Sequence, residues 1–308
     1  MLVVGPNLSI DQTVAVPRLA VGTIHRVPEI LRLAGGKGAN VARAARLLDA
    51  DPLLIGFVGG QTGALFAAYL RTDGIASHLV RTAGETRVCF SIADDATGEQ
   101  TEFYEAGTPV RSDEIALLVA AVEAHLPAHA WVVITGSLPR GAPEDLYARI
   151  IELAHRHRAR VLLDAREGAL TAGVAARPDV VKINSGELAE LAPQAPETPA
   201  AVAEAASHVP VVPGGAVIVT LGAAGAVVVR GEGRWQVTPP ATKARSPVGS
   251  GDCAAAGVVV GLERGNDFVE ATRLGVAAGT ANAMHLGAAR FTIEDVGRVL
   301  VGCVARAL

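Results

Sequence analysis

Two stretches of the chain hold residue types suited to handling an anion. In SPVGSGDCAAAG, residues 246–257, Gly249, Ser250 and Gly251 permit a tight turn ahead of a small-residue run that reads as a helix. Amides converging in such a turn, joined to the positive end of a helix dipole, make an anion hole. Asp252 stands at the helix start, where its carboxylate serves either as an N-terminal cap or as a base beside the anion. In AGGKGANVARAARLL, residues 34–48, Gly35 and Gly36 let a ligand approach the backbone, and Lys37 and Asn40 offer donors to hydroxyl or phosphate oxygens. Neither stretch is a Walker loop, and GxGxxG after a strand is missing, which speaks weakly against a dinucleotide-dependent oxidoreductase.

Other polar residues carry less. His155 and His157 lie two apart on a helix, so they diverge, and with Arg156 and Arg158 they read as a solvated face, not a metal site. Cys253 follows Asp252 at a helix start, and burial in that helix explains it. Asp164, after an apolar strand, is either a site-lining residue or a loop cap.

The elements that must position these residues are legible as alternating strands and helices. Runs apolar on both faces recur at 131–135, 161–164, 180–183, 217–221 and 226–229. Such runs belong to a parallel sheet covered on both sides. Helical spacing occupies 112–125, 143–157, 251–264, 267–285 and 292–306, which implies a doubly wound α/β fold. Residues 8–34 and 85–106 instead alternate apolar and polar, as in Val88, Phe90 and Ile92 against Cys89, Ser91 and Ala93. Period-two alternation predicts strands with one wet face, here an antiparallel flap outside the main sheet that acts as a lid. The proline-rich stretch 191–216, around a short Ala-rich helix, reads as a surface excursion and not a linker. The expected organisation is a single domain over 1–308 with the lid inserted in it.

Composition narrows the function classes. The 308 residues are 50% hydrophobic, with 27 Lys and Arg against 31 Asp and Glu for a net charge of -4. Without a basic stripe, nucleic-acid and polybasic membrane-surface roles lack support. Three widely spaced cysteines, Cys89, Cys253 and Cys303, form neither a disulfide framework nor a metal site, and fit a reducing cytoplasm. No export leader and no uncharged apolar run of about 18 to 20 residues is present, so a cytoplasmic location is expected.

The two glycine motifs, in this order and about 210 positions apart, resemble the two signatures of the PfkB (ribokinase-like) family of carbohydrate kinases. GPNLSIDQT at 5–13 is similar to the family's first strand with its sugar-binding aspartate, here Asp11. ITGSLPRGAP at 134–143, with Ser137, is similar to a segment of its phosphosugar kinases. KINSGEL at 182–188 resembles KPNxxEL and supplies Lys182, Asn184 and Glu187 to the nucleotide side, the last two for the magnesium and phosphate network. LGAAG at 221–225 resembles the glycine turn beside the nucleotide, with Thr220, Gly222 and Gly225, and AAGTANAM at 277–284, with Asn282, the helix flanking the adenine. GETR at 84–87 and TEF at 101–103 are most similar to the branch of tagatose-6-phosphate kinase and the phosphofructokinases.

The resemblance implies a ribokinase-like three-layer α/β/α sandwich with a mainly parallel sheet and a small β lid. It further implies ATP and Mg2+ dependent transfer to a primary hydroxyl of a ketohexose phosphate: tagatose 6-phosphate, fructose 1-phosphate or fructose 6-phosphate. Arg87 would anchor the substrate phosphate, or else is an exposed flap arginine. Ile24 stands where some relatives place a phosphate-contacting lysine, with Arg26 and Lys37 as substitutes. Asp252 would accept the hydroxyl proton while the Gly249–Gly251 amides stabilise the transferred group; an exposed aspartate of ordinary pKa suffices for a loose transition state. A homodimer through the lid is expected, because short strands with one apolar face need cover. The rivals are a kinase of an unphosphorylated sugar or nucleoside, and a catalytically silent sugar-phosphate sensor.

Overall fold

Val, Ile and Leu at successive positions favour extended backbone and leave no wet face, so such strands stack side by side between helices. The computed structural model describes residues 1–192 and 196–308; Pro193, within the proline-rich stretch, lies outside them. In chain order the first half runs β1 (Leu2–Val4), β2 (Ser9–Val16), β3 (Leu31–Gly35), α1 (Lys37–Leu47), β4 (Leu53–Gly59), α2 (Gly60–Thr72), β5 (Ala76–Thr82), β6 (Arg87–Asp94), β7 (Gln100–Tyr104) and α3 (Ser112–His125). There follow β8 (Trp131–Thr135), α4 (Leu146–Arg156), β9 (Arg160–Asp164), α5 (Glu167–Ala175), β10 (Val180–Asn184), α6 (Ser185–Leu191), α7 (Pro199–Ser207), β11 (Ala216–Thr220), β12 (Ala226–Arg230) and β13 (Gly233–Thr238). The chain closes with α8 (Ser250–Glu263), α9 (Phe268–Ala283), α10 (Ile293–Gly302) and β14 (Val304–Ala307).

The large sheet has the order β14-β13-β12-β11-β10-β9-β8-β1-β4-β5. It is parallel from β11 through β5 and antiparallel at β11–β12, β12–β13 and β13–β14. One face packs on α1, α2, α8, α9 and α10, and the other on α3 to α7, each with its own apolar core. This is the expected three-layer α/β/α sandwich. The approach of α8 to α9 depends on small residues: a Cβ added at Gly257 would lie 2.8 Å from the Gly275 Cα.

The five doubly apolar runs are β8 to β12, within a residue of their expected bounds, and α3 spans the expected 112–125. Two expectations are corrected. The helix read over 292–306 stops at Gly302, and Val304–Ala307 pairs antiparallel with β13, supplying that otherwise unpaired edge. The flap is a separate four-stranded sheet, β3-β2-β6-β7, but it is not wholly antiparallel: β2 and β6 run parallel, because the chain enters them from the same side of the large sheet, after β1 and after β5. In β6, Cys89, Ser91 and Ala93 are buried, while Val88, Phe90 and Ile92 are only partly covered, and Phe103 of β7 is 59% exposed.

Candidate active site

The parallel strands β8, β9, β10 and β11 end together at Thr135, Asp164, Asn184 and Thr220, and a cavity of about 1170 Å³ opens beyond their carboxyl ends. That is where an α/β sheet leaves room for a ligand, since the loops part there on their way to helices on opposite faces. The small sheet covers one side of the opening with Asp11, Arg87, Gln100 and Tyr104.

Gly249 makes the turn ahead of α8. Its φ is +79°, in the left-handed region, and an added Cβ would collide with Ala288, so only glycine fits. Ser250 and Gly251 open the helix on the cavity wall, the Ser250 amide donating back to the Pro247 carbonyl at 3.1 Å, and Asp252 follows in its first turn without making a capping bond. Instead the Asp252 carboxylate accepts from Asn40 Nδ2 at 2.9 Å, joining the two glycine motifs. Asp252 is 5% exposed, which corrects the expectation of an exposed aspartate with an ordinary pKa. Burial pushes its pKa up to about 6, the negative Asp164 adds to this, and Lys37, Asn40 and Lys182 work against it.

Asp164 is fully buried and bridges two lysines. Lys37 Nζ donates to its Oδ1 at 3.0 Å and Lys182 Nζ to its Oδ2 at 3.1 Å. Burial alone would raise Asp164, but Lys182 and Lys37 outweigh it and hold the carboxyl below the usual range. Burial would likewise lower Lys37, yet Asp164, Asp252 and Glu187 keep its ammonium firmly charged. Asp164 therefore lines up two fixed positive charges beside the helix end, an arrangement for an anionic ligand. Asp164 itself does not line the cavity: it stands behind Lys37 and Lys182, which do, so neither reading, site-lining residue or loop cap, describes it.

On the other side, Arg87 Nη2 donates to the Asn7 carbonyl at 3.2 Å and Nη1 faces Cys89 Sγ at 3.3 Å, while its buried Nε has no partner. Asp11 accepts from Ser9 Oγ at 2.6 Å and from the Gly36 amide at 3.4 Å. Ser137 accepts from Asn7 Nδ2 at 3.0 Å. Asn184 and Glu187 form a capping box at α6: Asn184 Oδ1 accepts from the Glu187 amide and Glu187 Oε2 from the Asn184 amide. Glu187 Oε1 lies 3.9 Å from Lys37 Nζ. Thr220, Gly222 and Gly225 line the cavity floor.

Three expected residues stand off the cavity wall. Gly35 lies against Asp11, where a Cβ would collide with the carboxylate. Glu187 stands behind Lys37. Asn282 is fully buried, and its amide holds the glycine turn from behind: Nδ2 donates to the Val248 carbonyl at 2.8 Å and to Ser250 Oγ at 3.0 Å, and Oδ1 accepts from the Ala289 amide. Thr280, two residues earlier on α9 and so on the opposite face, reaches the cavity instead. Sequence reasoning missed Asn7, Gln100, Glu102 and Tyr104, all on the wall. The last three alternate along β7, so their shared face was visible in the period-two pattern.

Among the described residues no three His, Cys, Asp or Glu side chains gather at metal-binding distance. A magnesium ion, which keeps several waters and takes one or two carboxylates with substrate phosphates, fits beside Glu187 and Asn184 only in company with a nucleotide.

The model of the pfkB family carbohydrate kinases matches residues 2–295, and the chain belongs to that family. A 1-phosphofructokinase of Rhodobacter capsulatus is 36% identical over 284 residues, covering 92% of this chain and 88% of that protein. The tetrameric inhibited form of phosphofructokinase-2 from Escherichia coli has a TM-score of 0.87 at 29% identity, over 97% of both chains. The same protein in complex with fructose-6-phosphate has a TM-score of 0.88 over 98% of both chains. The chain is thus a phosphotransferase of the carbohydrate kinase class, with the ribokinase-like fold.

Proposed function

We propose that the protein transfers the terminal phosphoryl group of ATP to a primary hydroxyl of a fructose phosphate, with Asp252 as the base. The observation that carries this reading is the pairing, in one cavity, of a buried carboxylate at a glycine-lined helix start with an arginine whose Nε is buried and unpartnered. Arg87 offers a guanidinium to the phosphate already on the sugar, and Asp11 an acceptor to its hydroxyls. Asp252 takes the proton of the attacking hydroxyl. The Gly249 and Gly251 amides, the N-terminal end of α8, Lys37 and Lys182 supply positive potential where charge spreads over the transferred group. Asn184 and Glu187 would hold a magnesium ion together with the nucleotide, which would supply further charge neutralisation. Fructose 1-phosphate is the favoured acceptor, since the curated relative at 36% identity is a 1-phosphofructokinase.

ADP release measured over fructose 1-phosphate, fructose 6-phosphate, tagatose 6-phosphate and unphosphorylated sugars tests this. A preference for an unphosphorylated sugar overturns the role of Arg87, and no turnover with any of them overturns the kinase reading. We infer in addition that two chains pair through the small sheet, acting as a lid, because its Val88, Phe90 and Ile92 row is incompletely covered within one chain.

A further inference from the structure

Behind the cavity, on α1, Arg43 lies one turn beyond Asn40, and both are only 5% exposed. The two ends of the Asn40 amide face opposite charges: Nδ2 donates to Asp252 Oδ2 at 2.9 Å, and Oδ1 lies 3.5 Å from Arg43 Nη1. The guanidinium is held on its other sides. Its Nε donates to Asp73 Oδ2 at 2.9 Å, Nη2 to the Ala34 carbonyl and Nη1 to the Ala288 carbonyl at 3.5 Å. Ala34 precedes the Gly35–Gly36 turn, and Ala288 is the residue that abuts Gly249, so Arg43 grips the supports of both glycine turns.

A guanidinium has donors and no acceptor, whereas a carboxylate is acceptor only. Between the two, an amide satisfies both in one orientation alone, oxygen toward Arg43 and nitrogen toward Asp252. Reversed, it would set oxygen against a carboxylate and N–H against a cation. We propose that Arg43 is a positioning residue for phosphoryl transfer, which fixes the amide of Asn40 and thereby keeps a hydrogen bond on Asp252. This rests on the reading of Asp252 as the base. Lys37 of α1, Asp164 of β9 and Lys182 of β10 also face Asp252, and Asp73 of α2 and the Cys253 thiol face Arg43. All of them remain when position 43 is changed.

The test is the pH profile of kcat/KM for Arg43→Met, a variant of similar bulk without donors, against wild type with the same ATP and sugar phosphate. Titration of the substrates is then common to both proteins. Without Arg43 the Asn40 amide is free to turn, the donation to Asp252 weakens, and its proton is held more tightly. The acid limb should move up by about half to one pH unit, so that a rate depressed near pH 6 recovers toward pH 8. A purely structural role lowers the rate by the same factor at every pH. In an Asn40→Ala background the Arg43→Met shift should vanish.

An unmoved limb, or a shift that persists in the Asn40→Ala background, overturns the proposal. If Arg43→Met does not fold, Arg43→Lys serves: its single ammonium pairs with Asp73 and leaves Asn40 unpartnered, and the same upward shift is expected. An unmoved limb there is equally fatal. Asp252→Asn separates the two claims. Near-native turnover in that variant removes the base itself, whereas an inactive Asp252→Asn beside an unshifted Arg43→Met removes only the inference.

Discussion

Gln100, the first residue of β7, donates from Nε2 to Ser246 Oγ at 2.9 Å and so joins the small sheet to the segment leading into the Gly249 turn. One bond thus connects the small-sheet wall of the cavity to the wall that carries the glycine turn. Gln100→Ala should raise the KM of both substrates by about two- to tenfold, the worth of one hydrogen bond, with kcat within about threefold. Initial-rate measurements decide it. Unchanged constants for both substrates would mean that the bond is incidental.

Asp252→Asn should leave binding of sugar and ATP within a few fold and lower turnover by roughly a hundredfold or more. Steady-state kinetics with isothermal titration of each substrate separates the two effects.

The same substitution has a consequence for stability. Asp252 has an unfolded value near 3.8 and a folded value raised to about 6. The folded state therefore binds its proton more tightly, and the native protein loses stability as pH rises between those values. Asn carries no charge at any pH, so Asp252→Asn should be more stable than wild type at pH 8, by on the order of 2 to 3 kcal/mol, and should not gain at pH 4. Urea unfolding at the two pH values measures this. An equal difference at both would show that burial of the charge is not its source.

Arg87→Ala should weaken the phosphosugar by about 1.5 to 3 kcal/mol and hardly touch ATP. A KM rise confined to ATP would move this arginine to the nucleotide side.

Phe90→Asp puts a charge in the half-covered row of β6. It should halve the mass seen by light scattering at micromolar concentration and lower activity with it. A fully active variant that stays a monomer, or a wild type that is already one, would sink the pairing of lids.

What could be read in the sequence depended on how local the signal was. The strands β8 to β12 were visible because apolar residues on both faces dominate them, and Gly249 to Asp252 because glycine spacing and a helix start are adjacent in the chain. The burial of Asp252 was not, since the walls around it come from α1, β9 and β10, far away in sequence. Asp164 was ambiguous for the same reason: a lone acid after a strand gives no hint that Lys37 and Lys182 will converge on it. The parallel pairing of β2 with β6 also escaped, because period-two alternation fixes which face is wet but not the direction of the neighbour.

The bond between Asn40 and Asp252 spans 212 positions of chain. During synthesis the first glycine motif leaves the ribosome long before the second exists, so Lys37, Asn40 and Lys182 are made before the Gly249–Gly251 turn and Asp252. A nascent or truncated chain that lacks α8 can present arginines and lysines to phosphate, yet it has no carboxylate in place to take a proton. On the proposed role of Asp252, a chain that lacks α8 cannot complete phosphoryl transfer, however much of the rest of the cavity it has formed.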